Sequence, residues 1–177
     1  MKTTTQFLLA GLILLLSAFT LTNSINWEIS QEHSIQFSGT DVDGIFKTMT
    51  GDITFDESNI ESSNFSFIID VNSINTGNGM KNKHAVSAKW FDASNYPSIK
   101  FKSSDFTKTE KEYSVTGVLE IQGIEKEVTI PFSFKDNSFT AQFSVNRLDF
   151  KVGTTKGMNN KVSNEIKLDV TIPVTSK

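Results

Sequence analysis

The chain has 177 residues, no cysteine and a formal net charge of −3. That is one domain's length with room for a sizeable core, and its stability must come from burial and hydrogen bonds rather than disulfides. A mildly acidic balance without a basic stripe excludes a nucleic-acid footprint, and the missing thiol excludes a lipid-acylated anchor.

Residues 1–24 differ in kind from the rest. Met1-Lys2 opens with positive charge, Phe7 to Ala18 is almost unbroken apolar sequence, and Thr22 and Ser24 supply small residues for cleavage. This is the pattern of a secretory signal peptide, with an uncleaved N-terminal anchor as the alternative. Residues 25–177 are then expected to form one exported domain, periplasmic or secreted. Of the 15 phenylalanines, only Phe7 and Phe19 fall in the leader. Each one fully buried is worth roughly 1.5–3 kcal/mol, so the others should mark the core.

Beyond the leader, apolar and polar residues alternate with a period of two, the mark of half-buried strands. Trp27, Ile29, Ile35 and Phe37 share a face, predicting a first strand interrupted around Gln31–His33. Gly39 to Gly44 predicts a turn-rich loop. Ile45 to Asp56 predicts a second strand, through Phe46, Ile53 and Phe55, and Gly51 within it points to a bulge or a close backbone approach. Phe65, Phe67, Ile69 and Val71 mark the third.

Asn75 to Ser98 breaks the alternation. Gly77-Asn78-Gly79 is loop chemistry, Lys81 to Lys89 predicts a short helix, and Tyr96-Pro97 stops it. Strands resume with Ile99 and Phe101, then with Tyr113, Val115, Gly117, Leu119 and Ile121. Gln122-Gly123 turns into Val128, Ile130, Phe132 and Phe134, and Asp136-Asn137 turns into Ser138–Phe150. That seventh strand carries Phe139, Ala141, Phe143 and Val145 on one face, which ends on Arg147 and Asp149. Lys151 to Asn164 predicts a loop, and Ile166, Leu168, Val170, Ile172 and Val174 an eighth strand.

Eight one-sided strands with short connections predict antiparallel neighbours. With one short helix to cover it, such a sheet buries its apolar face by closing on itself. The expected fold is all-β: an eight-stranded antiparallel up-and-down barrel with one short helical insertion. A two-sheet sandwich is the competing architecture. The candidate inner wall is Trp27, Ile35, Phe37, Phe55, Phe65, Phe67, Phe101, Leu119, Phe132, Phe134, Phe139 and Phe143. Periodicity leaves open whether these residues fill the interior or line a hollow one.

The charged residue at the end of the seventh strand needs an explanation, because burying a lone guanidinium costs several kcal/mol. Arg147 is expected to pair with a carboxylate that closes one barrel end, or else to face an anionic or carbonyl head group. His33 and His84 are the only histidines and lack ligand spacing, so no metal site is expected. Asp41-Val42-Asp43-Gly44, Asp52 and Asp56 do not continue into a calcium loop and read as turn residues. Gly77-Asn78-Gly79 lacks the third glycine of a dinucleotide fingerprint. No catalytic residue stands out, since there is neither a cysteine nor a Gly-x-Ser-x-Gly elbow.

Several linked motifs resemble one family over nearly all of the chain after the leader. They are His33-Ser34 before Ile35-Gln36-Phe37, Gly51-Asp52-Ile53-Thr54-Phe55-Asp56, and Asp70-Val71-Asn72-Ser73-Ile74-Asn75-Thr76-Gly77. His84, Trp90-Phe91-Asp92 with Tyr96-Pro97 and Phe101, Gly117 to Gly123, and Asn146-Arg147-Leu148-Asp149-Phe150 follow in order. The sequence is similar to the YceI-like proteins, a lipocalin-like family of exported bacterial proteins. The resemblance implies a barrel with a helix at one side and a long apolar channel for a polyisoprenoid or similar chain. It turns the twelve inner residues into a channel wall and makes His84 and Arg147 candidates for head-group or barrel-end contacts.

An isoprenoid quinone or polyprenyl lipid is then the implied non-covalent ligand. No covalent cofactor and no nucleic-acid partner are implied, transient membrane contact is, and the oligomeric state, homodimer included, stays open. The chain departs from the family pattern around the head group. Ala85 follows His84 where many members have leucine, Lys81-Asn82-Lys83 precedes it where an acidic residue is common, and Asp41-Val42-Asp43 replaces a further histidine of some members. Two other readings remain: a solid-core barrel acting as a stress-response or interaction module, and an enzyme on a lipid-like substrate.

Overall fold

The computed structural model describes residues 25–110, 112–153 and 161–177; the leader read at residues 1–24 lies outside them. Among these residues eleven strand segments form one sheet. They are β1 (Asn26–Ile29), β2 (Ser34–Gly39), β3 (Val42–Phe46), β4 (Met49–Thr54), β5 (Asn64–Asp70) and β6 (Ile74–Asn75), then β7 (Ser98–Lys108), β8 (Tyr113–Ile121), β9 (Ile124–Lys135), β10 (Ser138–Asn146) and β11 (Glu165–Ser176). β1 with β2, β3 with β4, and β5 with β6 are halves of interrupted strands, so the segments make eight staves. Every pairing is antiparallel, and β11 pairs with both β1 and β2, which closes the ring. The fold is the closed eight-stranded barrel, not a sandwich. Its single described α-helix, α1 (Gly79–Ala85), lies between β6 and β7, and among the described residues no helix is long and apolar enough to cross a membrane.

The interruptions have a shared cause. β3 buries Phe46 and β4 buries Met49 and Ile53, so the inward parity changes at Lys47–Thr48. The neighbouring stave changes parity at the same level, from Phe65 and Val71 to Ile74, through a 3-10 turn at Val71–Ser73. One side chain serves both breaks: the Ser73 hydroxyl accepts from the main-chain N–H groups of Lys47 and Thr48, each at 3.1 Å. Ser73→Ala removes that acceptor and is expected to cost about 1–2 kcal/mol in urea unfolding. A third change of parity, from Ile99 and Phe101 to Phe106, follows a bulge between Ser103 and Asp105 in β7.

Local chemistry moves several predicted boundaries. The loop expected over Gly39–Gly44 is a two-residue turn at Thr40–Asp41, with strand pairing from Gly39 to Val42. Gln122–Gly123 and Asp136–Asn137 have positive φ at both residues, as tight hairpin turns require. Gly51 is a close approach: a Cβ there would collide with the Ser66 carbonyl and the Phe67 ring. The helix starts before Lys81 because the Asn78 side chain caps Met80 N–H and Lys81 N–H, at 2.9 and 3.1 Å. It stops before Lys89, with the Ser87 hydroxyl donating to the His84 carbonyl at 2.6 Å. The seventh strand ends at Asn146, whose side chain accepts from Leu148 N–H at 3.0 Å and opens a 3-10 turn over Arg147–Phe150.

Candidate ligand cavity

One end of the barrel is plugged by aromatic rings. Phe55 is 1% exposed and meets Phe65, Tyr113, Phe132, Phe134 and Phe139, with centroids 5.2 to 6.2 Å away. Mostly tilted or edge-on, these pairs have the geometry that ring quadrupoles favour. Trp27 stands edge-on to Phe134 at 5.2 Å and donates its indole N–H to the Phe55 carbonyl at 3.0 Å. Tyr113 stacks on Phe132 and donates to Glu57 at 2.6 Å; burial first, then that bond, raises its pKa and keeps the phenol protonated.

Beyond the plug the interior is hollow, with a cavity of about 600 Å³. Nine of the predicted wall residues line it: Ile35, Phe37, Phe65, Phe67, Phe101, Leu119, Phe132, Phe139 and Phe143. Trp27, Phe55 and Phe134 do not. They share the inward parity, but they sit at the closed end, where rings pack on rings and no space remains. The reading also missed wall residues. Phe46 and Ile74 line the cavity on the far side of the parity changes, where a single alternating register loses them. Trp90 and Phe91 come from the aperiodic insertion after α1, and Phe91 stands edge-on to Phe46 at 5.8 Å. An aromatic pair in the one insertion without a strand period was the available signal.

Polar lining gathers at the opposite end. Thr76 follows β6 and donates its hydroxyl to Asn82 at 2.7 Å, which ties the stave to α1. Lys81 and His84 line the cavity from α1, Asp41 from the β2–β3 turn, and Lys161 from the β10–β11 connection. His33 lies elsewhere, at the break between β1 and β2, with Nδ1 2.9 Å from the Ser30 carbonyl. Among the described residues no cluster of His, Asp or Glu could hold a metal ion.

Arg147 is 4% exposed, and it donates to main-chain carbonyls and a side-chain amide where a carboxylate was expected. Nε donates to the Ser163 carbonyl at 3.0 Å, one terminal nitrogen to Val152 at 2.8 Å, and the other to Val162 at 3.1 Å and to the Asn164 side chain at 3.2 Å. The physical reason is the rigid fork of guanidinium donors, which a connection with inward-turned carbonyls can satisfy. Trp90 covers the guanidinium at 5.4 Å, and burial lowers the arginine's pKa. Gly153 completes the stack with φ +72°, where a Cβ would lie 2.8 Å from the Trp90 ring and 2.9 Å from Arg147. Gly153→Ala is expected to cost about 1–3 kcal/mol and to speed amide exchange in the segment Arg147–Phe150.

A closed up-and-down barrel with a plugged floor and a ligand-sized apolar interior is of the lipocalin-like class. The chain belongs to the YceI-like family, whose domain model matches residues 24–174. The YceI proteins of Salmonella arizonae and Salmonella newport are each 29% identical over 139 residues, covering 73% of this chain and 71% of theirs. Among solved structures, BcnA of Burkholderia cenocepacia is similar at a TM-score of 0.77 and 26% identity, over 84% of this chain and 99% of that one. A polyisoprenoid binding domain from Saccharophagus degradans, implicated in plant cell wall breakdown, shares the fold at a TM-score of 0.63 and 13% identity, over 85% and 98% of the two chains.

Proposed function

We propose that this chain is an exported binding protein that holds one isoprenoid-type chain, a quinone or a polyprenyl lipid, inside its barrel. The observation that carries the reading is the apolar cavity of about 600 Å³, a volume within the roughly 300–1,000 Å³ of small-molecule sites. Each buried methylene is worth about 0.8 kcal/mol, so a chain of about twenty carbons gains roughly 16 kcal/mol gross. Association returns some 4–15 kcal/mol of that. Binding therefore needs no reaction and no covalent cofactor, and the protein acts as a carrier or store in the periplasm or outside the cell. The polyisoprenoid binding domain of Saccharophagus degradans supports the ligand class, and the hollow interior counts against a solid-core module. Exchange takes place at the α1 end, in transient contact with a membrane, because the other end is filled by rings.

Natively purified protein is expected to release a long-chain isoprenoid into organic solvent, identified by mass spectrometry. Ala141 lines the cavity from β10, and Ala141→Trp fills the space from within. This variant should lose at least about tenfold in affinity for added isoprenoid quinone, since several methylenes are displaced, while melting near the parent temperature. An empty extract together with no uptake of quinone or polyprenyl lipid would overturn the reading.

A further inference from the structure

The charged side chains of the cavity lining do not balance. Among the described lining residues Lys81, Lys161 and Arg147 are cationic and Asp41 is the one anion, all at the open end, in a chain whose overall charge is −3. Among the described residues neither lysine ammonium takes part in a hydrogen bond or ion pair, so Asp41 neutralises neither. Low-dielectric walls concentrate such a field at the mouth of a cleft.

A chain with a neutral terminus would fill the apolar wall and leave this field unused. We infer that the cavity takes an amphiphile whose apolar chain ends in an anion, a carboxylate or a phosphate, with Lys81 and Lys161 as the residues that select it. This rests on the lipid-binding reading and adds the chemistry of the head group. The chain enters toward the aromatic floor, and the anion stops at the open end beside Lys81 and Lys161. No bond forms or breaks; selection is by charge alone.

The test compares farnesol, farnesoic acid and farnesyl monophosphate as competitors for a fluorescent long-chain probe on delipidated protein. The two acids are expected to bind about three- to tenfold more tightly than the alcohol at low ionic strength, the range of one or two partly exposed ion pairs, and to lose that margin in high salt. The double variant Lys81→Gln, Lys161→Gln should bring the acid-to-alcohol affinity ratio close to one. Inorganic phosphate alone, followed by amide shifts in α1, should bind far more weakly than farnesyl monophosphate. Equal affinities for acid and alcohol in the parent protein, a ratio unmoved by the double variant, or phosphate binding as tight as farnesyl monophosphate would each overturn the inference and leave the lipid-binding reading standing. Failure of all three chains to displace the probe, with no uptake of quinone, would overturn both.

Discussion

Arg147→Ala is expected to lower the unfolding free energy by about 3–5 kcal/mol, read by urea titration, because it empties a buried charged hydrogen-bond network. The guanidinium gathers the carbonyls of Val152, Val162 and Ser163 and the side chain of Asn164, drawing both ends of the β10–β11 connection to one point. Alanine leaves these acceptors without their donor and removes the cation that Trp90 covers. Arg147→Lys keeps the charge but not the planar fork, so it should recover less than half of the loss. Normal melting of Arg147→Ala would mean that the connection holds its shape without the arginine.

Phe55→Ala should carry the other large effect, about 3–5 kcal/mol. Phe55 is 1% exposed and touches five aromatic rings, so the lost side chain leaves a hole that rigid neighbours cannot close. The hole joins the cavity through Phe65, Phe132 and Phe139, which belong to both plug and wall. The co-purifying chains should therefore shift to greater length, measured by mass spectrometry of the organic extract. Destabilisation with an unchanged length distribution would place the chain's tail away from this end. The contrast with Ala141→Trp separates the two regions: the plug sets stability, and the hollow sets capacity.

Most of the barrel was legible because strand alternation reports burial residue by residue. β8, β9 and β11 follow their predicted faces, and β10 does so as far as Asn146, each bounded by a short turn or a loop. The failures cluster where alternation resets. Lys47–Thr48, Val71–Ser73 and Ser103–Asp105 each shift the inward face by one residue, and the partners that stabilise two of the shifts, Ser73 and the strand beside it, are distant in sequence. That is why Phe46, Ile74 and Phe106 escaped a reading by parity. Arg147 escaped for a different reason. A charge at the end of an apolar face announces that it needs partners, but main-chain carbonyls leave no trace in the residue types that supply them.

The sequence alone determined a one-sided antiparallel sheet of eight strands with one insertion, because side-chain period and turn chemistry are local properties of the chain. It also determined that the interior would be aromatic. Whether that interior was full could be decided only in three dimensions, where Trp27, Phe55 and Phe134 fill one end and Phe37, Phe101 and Phe143 surround space. The same parity produced both, since alternation says which side a residue faces and not how far away the opposite wall stands.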